Sequence, residues 1–272
     1  MQSEFRTRVR TGALLTLAAA AVTAASGLPY VMRAVAFALS LIGEHELLAG
    51  AEAENRYTAA GAAVFAAAVC FVPFPHYFIT AAIMLIAYGI SFAAIMKKTG
   101  SLKLTGYAKI LPFIIMLPVF MRGTAVLREE DHGLFYLLLA VGGCTATDVF
   151  AYLTGRKFGG KKLAPRVSPG KTVSGALGGA LASTLLMTAA CAAFAAASGV
   201  ALRYYVLIPY LIVASAVGQF GDLCFSALKR GMGIKDFGRL LPGHGGILDR
   251  FDSLIFTAPF LCVADSVIGI IA

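Results

Sequence analysis

Apolar residues run through this chain in long blocks, and polar residues gather in a few short stretches between them. An α-helix needs roughly 20 mostly apolar residues to cross the hydrocarbon of a bilayer. The pattern predicts nine such helices, near residues 11–29, 33–50, 57–73, 77–96, 104–121, 133–153, 173–198, 204–225 and 251–271. The expected fold class is an all-α integral membrane protein, a polytopic helical bundle. Internal repeats, low-complexity linkers and soluble domains are absent from the pattern. The chain reads as one membrane domain, with N-terminal helices over 1–135 and a C-terminal region over 136–272 that carries polar loops at 154–172 and 226–250.

Composition agrees, with 59% hydrophobic and 14% charged residues, against roughly 25% charged in soluble domains. The net charge of +9 would suggest nucleic acid in a soluble protein, but no basic stripe lies on a soluble domain, so that class is set aside. The positive residues instead mark cytoplasmic segments. With the N-terminus inside, the inside segments hold Arg6, Arg8 and Arg10, then Lys97, Lys98 and Lys103, then the cations of both polar loops. Outside, Arg122 and Arg128 are offset by Glu129, Glu130 and Asp131. The N-terminus is therefore expected in the cytoplasm and the C-terminus outside. Arginines before the run Thr11–Ser26 imitate a signal peptide, yet many spans follow, and a retained first span is expected. The five cysteines lie in apolar stretches without C-x-x-C spacing, so neither a disulfide framework nor a zinc site is expected.

Two spans separate the polar loops, so both lie on one face and can meet. Asp222 sits near the cytoplasmic end of the eighth span, where a carboxylate is costly unless paired or metal-bound. Asp222, Ser226 and Lys229 share one helix face, with Arg230 beside them. Asp249 and Asp252 open the last helix. Acids there suit the helix dipole alone, but they follow the run Pro242-Gly243-His244-Gly245-Gly246, whose backbone can approach a phosphate closely. His244 could donate to a phosphate, act as an acid or cap the turn. Hard cations such as Mg²⁺ take one or two carboxylates and complete their shell with water and substrate phosphates. Asp222 with Asp249 suits that need.

The other loop holds six cations and no acid from Arg156 to Lys171. Topology and attraction to anionic lipid explain part of this. Ser168-Pro169-Gly170-Lys171-Thr172 imitates the end of a P-loop, but Pro165 stands where glycine is required and no strand is expected before it, so a P-loop is rejected. Asp148, flanked one turn away by Thr145 and Tyr152, is a further candidate contact. Glu44 and Glu46 flank His45, and interface exposure is expected for at least one of them. Asp265, His76 and His132 are assigned no role.

Residues Ser226 to Asp252 resemble the signature of the phosphatidate cytidylyltransferase (CDP-diacylglycerol synthase) family. The pattern is S-x-L-K-R, four residues, K-D-F, then L-P-G-H-G-G-x-x-D-R-x-D, and every fixed position is present. Asp148-x-x-Ala151-Tyr152-x-x-Gly155-Arg156-x-x-Gly159 and Ser168-Pro169-x-Lys171-Thr172 are also similar to the family. The likeness covers roughly residues 140–272. One departure stands out: Gly170 and Ser174 occupy positions where the family commonly has lysine and glutamate.

The resemblance implies an enzyme that joins CTP to phosphatidate in the plasma membrane, giving CDP-diacylglycerol and pyrophosphate on the cytoplasmic side. It implies Asp222, Asp249, Lys229, Lys235 and His244 as catalytic, with Mg²⁺ on Asp222 and Asp249 and room for a second metal or a monovalent cation. Asp148, Tyr152, Ser168, Lys171, Thr172, Ser226, Arg230, Asp236, Gly245, Gly246, Arg250 and Asp252 would contact the substrates. A homodimer is compatible with this reading. The rivals are a CTP-dependent polyprenol or dolichol-type kinase and a cytidylyltransferase for another lipid phosphate. A transporter or channel would place its acids midway through the spans, whereas here they gather at one face.

Overall fold

The computed structural model describes residues 2–54, 56–71 and 106–272. Among them run eight helices: α1 (Gln2–Ala25), α2 (Val31–Gly50), α3 (Arg56–Phe71), α4 (Gly106–Glu129), α5 (Gly133–Phe158), α6 (Val173–Ser198), α7 (Tyr204–Gly231) and α8 (Leu248–Ile268). Helices α4 to α8 are long and apolar enough to cross a membrane, as expected of a helical membrane protein. In lipid a chain must pair its own backbone groups, which selects helices and tolerates Pro112, Pro118, Pro209 and Pro259 inside them. The helix expected at 77–96, the lysines Lys97, Lys98 and Lys103, and His76 lie outside the described residues.

The structure redraws both polar loops. α5 continues to Phe158, and the rest of the first loop is an antiparallel hairpin of β1 (Lys162–Ala164) and β2 (Ser168–Thr172), with Lys162 opposite Thr172 and Ala164 opposite Ser168. The hairpin feeds directly into α6, whose first turn is capped by Thr172 Oγ1 accepting from Gly175 N at 3.1 Å. α7 runs on to Gly231 because Ser226 and Lys229 face inward and are buried. It ends where Gly233 turns left-handed at φ 74°. The second loop is therefore only 232–247.

Small residues let α5 and α6 approach closely. Gly175 and Gly179, one turn apart, lie against α5. A Cβ on Gly179 would stand 2.8 Å from Ala151 Cβ, and one on Gly175 would stand 2.7 Å from Ala151 O. Such small-xxx-small faces supply close van der Waals contact between helices that lipid cannot drive together hydrophobically. An aromatic cluster joins α4, α7 and α8: Phe120 meets Phe256 edge-to-face with centroids 5.4 Å apart, and Phe225 meets Phe256 at 6.3 Å. Phe237 of the 232–247 loop stands edge-on to Phe225 at 5.8 Å. Its burial fixes the loop to the end of the bundle.

The two ends of the bundle differ. At one end Arg33 makes a bidentate pair with Glu129, at 2.6 and 2.7 Å, and Tyr136 OH donates to Asp265 at 2.8 Å. At the other end the last turn of α7 links the hairpin to the 232–247 loop, Arg230 Nε donating to Val167 O at 3.4 Å and Nη1 to Ile234 O at 3.1 Å. α1 reaches this same end, where Thr11 Oγ1 donates to Pro242 O at 3.0 Å. All five cysteines are free, and four of them are buried.

Candidate active site

A cleft of about 520 Å³ opens between α5, the hairpin, the start of α6 and α7. Asp148 and Tyr152 of α5 line one wall, Gly170, Lys171 and Thr172 of β2 another, and Gln219 and Asp222 of α7 the floor. Lys171 Nζ pairs with Asp222 Oδ2 across it, and Ser226 Oγ donates to Asp222 Oδ1 at 3.2 Å. The stripe expected on α7 is present. Asp148 and Asp252 lie within electrostatic reach of Asp222. Asp252 is buried and accepts from Ser253 N at 2.8 Å, so it sits behind the cleft.

Beside the cleft stands a second pair. Lys229 Nζ donates to Asp249 Oδ1 at 2.6 Å, and Asp249 Oδ2 accepts from Phe237 N and Gly246 N, both at 2.9 Å. The Lys229 ammonium also lies over the Phe237 ring, 5.3 Å from its centroid. Asp222 and Asp249 thus share one arrangement. One oxygen is held by a donor fixed to the scaffold, and the other by a lysine ammonium. Each lysine is the internal counterion of its carboxylate.

The donor set suits a hard divalent ion. Among the described residues no three His, Cys, Asp or Glu side chains converge as a closed metal cage. An ion here would take one or two carboxylates and draw its other ligands from water and phosphate, the habit of Mg²⁺ rather than Zn²⁺. Asp222 Oδ2 and Asp249 Oδ1, the oxygens now on lysine, are the ones available to it.

Other sequence-predicted residues hold the scaffold around these pairs. Thr172 lines the cleft but spends its hydroxyl capping α6. Ser168 pairs with Ala164 in the hairpin, and Arg230 ties the hairpin to α7 while donating to Ile234 O at 3.1 Å. Arg250 Nε donates to His244 O at 2.9 Å. Gly243 and Gly245 take φ of 77° and 87°, and a Cβ on Gly245 would meet Asp249 Oδ2 at 2.9 Å. Here glycine is needed on both counts. The His244 imidazole does not line the cleft, and its buried Nδ1 has no partner among the described residues. Lys235 and Asp236 line a separate pocket formed by residues 234–239.

Two corrections concern residues given little or no weight. Glu44 and Glu46 are both buried, at 2% and 4% exposure, so neither is the exposed interface acid expected. Only His45 between them faces out, bonded to Glu54 at 2.6 Å. Glu46 reaches the start of α8, where Ile247 N donates to Oε1 at 2.8 Å and Leu248 N to Oε2 at 2.9 Å. An acid inside an apolar helix was its available signal, the same one that marked Asp148 and Asp222. Ser174, the departure from the family pattern, bonds Thr172 Oγ1 at 3.1 Å and donates to Gly159 O, so it closes the junction between α5, the hairpin and α6.

The profile of the Cytidylyltransferase family matches residues 6–267. The chain belongs to that family. A phosphatidate cytidylyltransferase of Bacillus subtilis (strain 168) is 36% identical over 172 residues, covering 63% of this chain and 62% of that protein. Phosphatidate cytidylyltransferases of Staphylococcus aureus (strain COL) and Staphylococcus saprophyticus are 44% and 46% identical over 134 residues, in each case 49% of this chain and 50% of the relative. The matched segments thus span between 50% and 62% of these curated relatives' length. The family match, by contrast, runs through both halves of the bundle, including the helices for which sequence reading found only apolar spans.

Proposed function

We propose that this protein transfers the cytidylyl group of CTP to phosphatidate, giving CDP-diacylglycerol and pyrophosphate. The observation that carries the reading is the pair of lysine-held carboxylates, Asp222 with Lys171 and Asp249 with Lys229, at the polar end of a bundle belonging to the cytidylyltransferase family. The relatives' names supply the substrates.

A phosphatidate oxygen is already an anionic nucleophile, so the reaction needs no serine or cysteine. It attacks the α-phosphorus of CTP, a new P–O bond forms, and the bond to the β-phosphate oxygen breaks as pyrophosphate leaves. What the protein must do is hold two polyanions in line and disperse charge on the transferring group. Held by Asp222 and Asp249, Mg²⁺ would neutralise phosphate oxygens as negative charge develops on the leaving group. Lys171 and Lys229, released from their carboxylates, turn to phosphate oxygens, with Arg250 and Lys235 near the same end. The lipid's acyl chains stay among the helices while its phosphate sits at the cleft mouth. CTP is a cytoplasmic solute, which suits nine spans with an inside N-terminus and this face of a plasma-membrane protein turned to the cytoplasm.

The deciding experiment incubates purified protein with labelled CTP and phosphatidate, with and without Mg²⁺. Pyrophosphate release together with label in the lipid supports the reading. CDP release with phosphorylated lipid would instead indicate a CTP-dependent lipid kinase.

A further inference from the structure

We infer that Glu46 is a positioning residue for the Asp249–Lys229 pair, so that α2, in the N-terminal half, sets the geometry of the site. The inference rests on the function proposed above for that site. Three consecutive N–H groups at the start of α8 are divided between two carboxylates: Gly246 N goes to Asp249, while Ile247 N and Leu248 N go to Glu46. The first N–H groups of a helix have no intrahelical acceptor, and anions there also favour the helix dipole. Glu46 thereby fixes the direction in which α8 begins, and Asp249 lies in that first turn.

The fit between Glu46 and the glycine-rich loop is close. A Cβ on Gly246 would stand 2.5 Å from either Glu46 carboxylate oxygen, and one on Gly238 would stand 2.5 Å from Oε1. Both glycines leave room for an acid of α2 that lies 201 residues before Ile247 in sequence. Burying a carboxylate is costly unless its oxygens are satisfied, and here the loop satisfies both. Glu46 does not line the cleft, so its effect on chemistry passes through Asp249 and Lys229.

Glu46→Gln keeps the shape but turns an amide NH₂ toward a backbone N–H, so one of the two bonds is lost. Four quantities are measured: kcat, KM for CTP, the unfolding temperature in detergent, and amide hydrogen exchange over 244–250. The expected result is kcat lower by about 10- to 100-fold, as for small misplacements of reacting groups. KM for CTP and the unfolding temperature should change little, and the amides of Ile247 and Leu248 should exchange faster. Glu46→Asp should recover part of kcat, and Glu54→Gln, at the exposed His45 contact, should match wild type. Unchanged kcat and exchange in Glu46→Gln would overturn the inference, as would a kcat loss that merely follows a general fall in unfolding temperature. Should wild type release no pyrophosphate, the proposed reaction fails, and the exchange measurement still decides whether Glu46 positions the start of α8.

Discussion

Lys229 reaches from α7 to Asp249 on α8 with an N–O distance of 2.6 Å, and the two side chains keep only 10% and 3% exposure. A pair this withdrawn is expensive to break from one side. Asp249→Asn leaves a buried ammonium without its counter-charge, which typically costs about 3–5 kcal/mol. Lys229→Met leaves Asp249 with two backbone donors and should cost less. The double variant should regain part of the stability lost in Asp249→Asn, while activity stays abolished in all three. Unfolding in detergent, paired with pyrophosphate release, checks this. An Asp249→Asn protein as stable as wild type would show that the pair is not buried in the membrane-embedded protein.

The Lys171–Asp222 pair should behave differently. Its side chains retain 27% and 22% exposure, and pairs near solvent contribute about 0–1 kcal/mol. Lys171→Ala should therefore leave the unfolding temperature nearly unchanged. Loss of one preorganised cation aimed at phosphate should still lower kcat/KM by about 100-fold or more. Steady-state kinetics on the folded variant test this, and a kcat/KM within a few-fold of wild type would remove Lys171 from the machinery.

The contrast between these pairs shows what could be read from sequence. Apolar blocks marked the spans, because membrane burial leaves a composition signal that needs no tertiary information. The Asp222, Ser226 and Lys229 stripe was legible because helical spacing alone puts these residues on one face. Which lysine meets which aspartate was not, since Lys171 and Asp222 are 51 residues apart and meet only through a hairpin that apolar patterning does not encode. Thr172 and Ser174 looked like substrate residues or departures from a motif, yet their hydroxyls join the hairpin to α6. Glu46 carries the signal of an acid inside an apolar helix but reads with Glu44 as an interface acid, and its partners are backbone N–H groups, which no pattern distinguishes.

The α5–α6 contact should be intolerant of side chains. At Gly179 even a methyl group would press on Ala151, with its Cα and N both 3.0 Å from the added carbon. Overpacking of this kind costs about 1–3 kcal/mol, and pushing the helices apart would widen the cleft between Asp148 and Lys171. Gly179→Val is therefore expected to lower both the unfolding temperature and kcat. Gly170 is the counter-case, since nothing lies within 4 Å of its added Cβ. Gly170→Lys should fold normally and place an extra cation on the cleft wall, which is expected to lower KM for CTP. Parallel assays of the two variants check the pair of outcomes.

Gly246 and Glu46 should be energetically coupled. The Cβ of Gly246→Ala would fall 2.5 Å from both Glu46 carboxylate oxygens, so the variant must push the carboxylate off Ile247 N and Leu248 N or shift the loop that carries Asp249. Either route should lower kcat as Glu46→Gln does. Glu46→Ala removes the obstacle together with the acceptor, so adding Gly246→Ala to it should cost little more. Residues in direct contact commonly show coupling of about 0.5–3 kcal/mol in such cycles. Here the sign is fixed in advance: the double variant should be less impaired than the sum of the singles, in both stability and ln kcat. Additive effects would mean that Gly246 serves only its own backbone turn and that Glu46 acts, if at all, by another path.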